Sequence, residues 1–143
     1  MKLTLGIVLI FGLLVSCDKC DPSNSIEGEI IEGAVVKSVG VPNQPILITS
    51  AEQTSFNLEV RLEGSVSYQP VNFAQYSVLA LPTTASCSSG YERIVERDDA
   101  NEKITYTINI TQCEDCEGQV TIGNWVLIPA VPSDYSAEFE LND

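Results

Sequence analysis

The chain has 143 residues and sets 20 Asp and Glu against seven Lys and Arg, a formal net charge of −13, with no histidine anywhere. Such acidity leaves no electrostatic footprint for nucleic acid, and the missing imidazole removes Ser-His-Asp triads, Cys-His pairs and HExxH zinc sites. Neither a Walker-type phosphate loop nor a GxGxxG fingerprint is present, so no enzymatic role, cofactor or metal is expected, and the acidity reads as a solubility device.

In chain order, Met1 and Lys2 open a stretch, residues 3–15, that carries no charge. One cation followed by an apolar run of this length reads as a secretory leader. It falls short of the about 20 apolar residues that a bilayer crossing needs. The run ends Leu14-Val15-Ser16-Cys17, which resembles the lipobox of bacterial lipoproteins. That resemblance implies a signal peptide over residues 1–16 and makes Cys17 the lipidated first residue of the mature chain, bearing acyl groups such as palmitate. Two or more acyl chains hold far more firmly than a single myristate. Asp18 is similar to the inner-membrane retention signal of enterobacterial lipoproteins, whereas Lys19 followed by Asp21 resembles the export tethers of Bacteroidota lipoproteins. The expected location is the bacterial cell envelope, the outer membrane favoured over the inner.

Residues 17–33 read as the lipidated N-terminus and an acidic tether, leaving a single domain over 34–143. Losing the leader removes one of the seven basic residues and none of the acidic ones. The body should therefore be repelled by anionic headgroups, with only the anchor holding it to the bilayer.

Beyond the tether, short apolar stretches alternate with turn signals, predicting strands over 34–39, 45–49, 56–62, 76–81, 91–97, 103–111, 120–128 and 136–141. Ile104, Tyr106, Ile108 and Ile110 share one face while Lys103, Thr105, Thr107 and Asn109 share the other. Phe56, Leu58, Val60 and Leu62 alternate with polar neighbours in the same way, as do Ala137, Phe139 and Leu141. A period of two with one polar face marks a half-buried antiparallel strand. By contrast, YSVLAL and NWVLIP are apolar on both parities and should be central or covered. No helical period appears beyond a single turn near Ser50-Ala51-Glu52-Gln53. The expected fold is all-β: an antiparallel sandwich or partly open barrel of about seven or eight strands, with at most one short helix.

Asp98-Asp99-Ala100-Asn101-Glu102 supplies turn formers between two β-rich strands and marks a hairpin. With Cys17 acylated, Cys20, Cys87, Cys113 and Cys116 remain, and an even count in an exported chain favours disulfides. Cys87 and Cys113 each lie 13 residues from Ala100, so Cys87 is expected to bond into the Cys113-Glu114-Asp115-Cys116 loop, at Cys113 or Cys116. Cys20 either staples the tether or stays free. CEDC has redox spacing, but its acidic neighbours would raise a thiol pKa rather than stabilise a thiolate. A four-cysteine zinc site would need Cys20 as its fourth ligand. The oxygen-rich DDANE and EDCE stretches suit calcium in kind but lack the spacing of an EF-hand. A structural bridge is the expectation.

Residues 73–129 resemble the PrcB-type C-terminal domain of bacterial envelope proteins. Phe73-Ala74-Gln75-Tyr76 leads into an apolar strand, Ser89-Gly90-Tyr91 opens the next, a polar hairpin follows, and Asn124-Trp125-Val126-Leu127-Ile128-Pro129 closes the pattern. Arg93 stands where that pattern carries an apolar residue. The resemblance implies a β-sandwich-like domain and a role in stabilising a protease complex.

The expected function is a membrane-anchored, non-enzymatic module that binds or stabilises another envelope protein, with the lipid bilayer as its second partner through Cys17 and no nucleic acid. The candidate binding loop is the small-residue stretch around Ser86, Ser88, Ser89, Gly90 and Tyr91; a bridge at Cys87 would lower its ordering cost on binding. The alternative is a glycan-binding surface lipoprotein with Tyr68, Tyr76, Tyr91, Trp125 and Tyr135 as a stacking platform, although Tyr76, Tyr91 and Trp125 read as core. Glu92 and Glu96 share a strand face, but read as solvated carboxylates beside Arg93 and Arg97.

Overall fold

The computed structural model describes residues 24–112 and 117–143; the expected leader, Cys17, Cys20, Cys113 and Cys116 lie outside them. The strands are β1 (Ser25–Gly28), β2 (Val35–Ser38), β3 (Ile46–Ile48), β4 (Leu58–Arg61), β5 (Gln69–Pro70), β6 (Tyr76–Ala80), β7 (Thr83–Ser86), β8 (Gly90–Asp98), β9 (Lys103–Thr111), β10 (Gln119–Ile122), β11 (Val126–Pro129) and β12 (Ser136–Asn142). One 3-10 turn, Ala51–Gln53, is the sole helical element among the described residues. The Gln53 side-chain oxygen closes it by accepting from the Thr49 and Ser50 N–H groups at 2.6 and 3.2 Å. No helix among the described residues is long and apolar enough to cross a membrane.

The β8–β9 hairpin organises the largest sheet, ordered β1-β8-β9-β12. Gly90 lies opposite Thr111 and Asp98 opposite Lys103, so Tyr91, Arg93, Val95 and Arg97 share the inner face with Ile104, Tyr106, Ile108 and Ile110. Val95, Ile104, Tyr106 and Ile108 are wholly buried there. The outer face carries Glu92, Glu96, Lys103, Thr105, Thr107 and Asn109, as the alternation predicts. Contrary to the expectation of a purely antiparallel sheet, β1 runs parallel to β8 and β12 parallel to β9. Only strands joined by a tight turn are bound to run antiparallel. β1 and β12 reach the hairpin from the two ends of the chain and are free of that constraint.

The middle sheet, β11-β6-β3, is covered on both faces. Leu79, Val126 and Ile128 pack towards the hairpin sheet with Tyr91, Val95, Ile104, Tyr106 and Ile108. Ile48, Val78 and Leu127 pack the opposite way against Leu58, Val60 and Val71 of the β2-β4-β5 side. The result is a sandwich-like all-β architecture with two cores, one on either face of the middle sheet, and no closed barrel. This double burial is why YSVLAL and NWVLIP are apolar on both parities.

β7 and β10 form a separate pair that continues the middle sheet. Leu79 lies opposite Val126 and Thr83 opposite Ile122, one unbroken register. β6–β7 and β10–β11 are thus a single long ribbon, bent at Pro82 and at Gly123-Asn124. Pro82 has no N–H to give to a ladder, and Asn124 sits at φ 42. A Cβ on Gly123 would collide with Nε1 of Trp125. The single strand expected over 120–128 is consequently two, and half of the expected loop after Pro82 is strand.

The fold also begins earlier than the composition suggests. β1 lies within the segment read as tether, and beyond it Glu29 N–H donates to the Val95 carbonyl at 2.9 Å and Ile31 N–H to the Leu127 carbonyl at 2.8 Å. Gly28, at φ +76, ends β1 so close to β8 that a Cβ would strike the Val95 carbonyl oxygen.

Candidate functional site

The bend in the ribbon is held by a polar node inside the core. Asn124 is 4% exposed. Its side-chain amide donates to the Leu81 carbonyl at 3.1 Å and to Thr83 Oγ1 at 2.7 Å, replacing ladder bonds that the bend interrupts. Its backbone carbonyl accepts from the buried Tyr106 hydroxyl at 2.7 Å, and its Oδ1 accepts from Arg93 Nη2 at 2.8 Å. Burial drives the pKa of the Tyr106 hydroxyl well above its ordinary value, and the nearby Arg93 guanidinium opposes this only in part; the phenol therefore remains a donor.

Arg93 links this node to the surface. It points inward from β8, donates from Nη1 to the Tyr91 carbonyl at 3.3 Å, and lies 5.5 Å from the Tyr91 ring centroid. The pattern recurs: Arg97 lies over Tyr135, and Arg61 over Tyr68 together with Lys37. All three arginines of the chain are therefore stacked on tyrosines, an arrangement that suits the flat, weakly hydrated guanidinium. What separates Arg93 from the other cations is its surroundings. Lys37, Arg97 and Lys103 each pair with a carboxylate. Arg61 and Arg93 form no ion pair among the described residues, and of these two Arg61 is exposed while Arg93 is half-buried.

Arg93 lines a cleft of about 200 Å³ at the side of the sandwich. Three sheets end there: β1 borders the hairpin sheet, β11 the middle sheet and β2 the outer one. Ile26, Ile30, Val35, Trp125 and Leu127 supply apolar walls, and among the described residues Arg93 is the only charged side chain in the lining. Ile26 and Val35 form an exposed apolar rim, 42% and 40% accessible. Glu27 and Glu32 stand outside, in a neighbouring shallow depression. A second cavity of about 210 Å³ beside β4 and β5 has no charged lining residue among the described ones.

The candidate binding loop is more compact than its composition implies. Ser86 ends β7, Ser89 N–H closes a tight turn onto the Ser86 carbonyl at 3.0 Å, and Gly90 and Tyr91 are buried at the start of β8. Ser86 and Ser88 meet through their hydroxyls at 3.2 Å. The hydroxyls of Ser89 and Tyr91 are buried without a hydrogen-bond partner among the described residues. Cys87 is disulfide-bonded, and its partner lies outside the described residues. Its N–H donates to the Gly118 carbonyl at 3.0 Å, which sets it beside β10 instead of along an extension of the β8–β9 hairpin.

The aromatic side chains have separate partners and do not assemble into one surface. Trp125 meets Phe56 edge-on at 5.3 Å, Tyr135 donates to Asp99, and Tyr91 is buried. Glu92 and Glu96 share the outer face, where Glu92 accepts from Asn109 at 2.6 Å. The Asp98 carboxylate of DDANE accepts from the Ala100 and Asn101 backbone and from the Asn101 side chain, while EDCE lies largely outside the described residues. Among the described residues no group of three or more acidic or thiol side chains could hold a metal. Neither the cleft nor the Asn124 node is legible in the sequence; the one signal is Arg93 at a position where the resemblance implies an apolar residue. No protein-family model matches the chain, and no match is found among curated proteins or solved structures.

Proposed function

We propose that this chain is a membrane-anchored envelope lipoprotein whose β domain acts as a non-enzymatic protein-binding module. The observation that carries the binding role is the cleft where β1, β2 and β11 end together. Sheet edges offer unpaired backbone groups to an incoming strand. β1 and β2 each pair on one side only among the described strands, while the Leu127 carbonyl of β11 is already bonded by Ile31, and the edges surround an exposed apolar rim. The lipobox-like Leu14-Val15-Ser16-Cys17 supports the anchor, which would hold the acidic body at a bilayer that does not itself attract it. The absence of histidine and of any phosphate loop supports a role without catalysis.

The test is affinity capture of the full-length protein from detergent-solubilised bacterial membranes, with intact-mass analysis of the bait. The expected result is a stoichiometric envelope protein eluting with a bait cleaved before Cys17 and heavier by its acyl groups. An uncut or lipid-free bait overturns the anchor, and recovery of the bait alone across several mild detergents overturns the binding role.

A further inference from the structure

The cleft also carries information about what it binds, and this inference rests on the protein-binding reading above. Its volume, about 200 Å³, is below the roughly 300–1,000 Å³ of pockets that enclose whole small molecules. It suits one or two apolar side chains of a longer ligand whose remainder lies along the surrounding strand edges. Among the described residues the single charge in the lining is a guanidinium that neutral acceptors hydrogen-bond but leave uncompensated: the Tyr91 carbonyl and Asn124 Oδ1 take two of its five N–H donors. A charge held on the inner face of a strand without a counter-charge is costly. One carboxylate would match it in both charge and planar fork geometry. Glu27 and Glu32 just outside would repel a ligand with further negative charge.

We propose that the cleft receives the C-terminal end of an extended apolar polypeptide, its terminal carboxylate paired with Arg93 and its last side chains seated between Ile26, Val35 and Leu127.

Trp125 is the only tryptophan in the chain and lines the cleft, so intrinsic fluorescence of the full-length protein reads occupancy directly. The probe is the tryptophan-free peptide acetyl-Val-Thr-Val-Ile-Val, titrated as its free acid and as its C-terminal amide. The acid should shift Trp125 emission saturably and bind about tenfold or more tightly than the amide, the factor expected for one charge-assisted hydrogen-bonded pair. Arg93→Gln should bring the two forms together. Because Arg93 also braces Asn124, Val35→Asp at the exposed rim provides a second variant, which should abolish the response to the acid with an unchanged melting temperature. Equal binding of acid and amide overturns the carboxylate assignment. A response to decanoate as strong as that to the peptide overturns the polypeptide assignment, and a concentration-dependent emission shift without peptide assigns the cleft to a second copy instead. A membrane partner captured equally well by the Val35→Asp variant removes the cleft proposal but leaves the protein-binding reading standing.

Discussion

Asn124 converts a bend into a fixed corner, because its side chain supplies the hydrogen bonds that the ribbon loses at Pro82. Asn124→Ala should destabilise the domain by about 2–4 kcal/mol in urea unfolding, since it leaves the Leu81 carbonyl and the Arg93 guanidinium short of partners in the core. Asn124→Gly relieves the backbone strain of φ 42 yet forfeits the same bonds. It should fall between the two, about 1 kcal/mol more stable than the alanine variant. A residue-scale effect of opposite character operates at the exposed hairpin turn. There the Tyr135 hydroxyl, and after it the Arg97 guanidinium, hold the Asp99 carboxyl below its usual range. A carboxyl depressed in the folded state stabilises above its ordinary pKa, 3.8 here, and that contribution vanishes as pH falls through the lowered value. Tyr135→Phe should move the Asp99 titration, followed by carboxyl-detected NMR, upward towards 3.8, with little effect on stability at neutral pH.

At the scale of the element, β1 depends on one glycine. Gly28→Ala combines φ +76 with a clash on the Val95 carbonyl and should cost about 1–3 kcal/mol. The loss should appear first as accelerated amide exchange along β1 and the facing backbone of β8. Which elements could be read from sequence follows from their shapes. β8, β9 and β12 have seven or more residues each, enough to display alternation, and β6 and β11 announced their double burial by being apolar throughout. β1 has Ile26 as its only bulky apolar side chain, β5 has two residues, and the inward residues of β7, Thr83 and Ala85, are too small to register as a hydrophobic pattern. The cleft was hidden for a different reason. It is made by strand ends from three sheets, and the acceptor that holds Arg93 lies 31 residues further along the chain.

For the whole molecule, the notable fact is that both ends of the described chain add to the same sheet, β1 on one edge and β12 on the other. That sheet is completed only by contacts distant in sequence, the kind of topology that folds slowly. The disulfide at Cys87 should offset part of this cost by tying the β7–β8 turn to another part of the chain. Its reduction is expected to lower stability by about 2–4 kcal/mol, read as a drop in melting temperature in the presence of a phosphine. Non-reducing peptide mapping should recover Cys87 joined to Cys113 or Cys116, because its N–H already binds the Gly118 carbonyl just beyond that loop. The opposite edge raises a question of coexistence. β12 leaves seven residues, Ser136–Asn142, along a margin that no other described strand covers, with Leu141 nearly half exposed, the sort of border along which identical molecules zip into fibres. Glu138 is paired with Lys103, but Glu140, bonded to the neutral Thr107 hydroxyl, keeps its charge on that border, so two such margins meeting side by side repel before their backbones can join. A crowded, two-dimensional layer of these molecules would then remain a population of individuals.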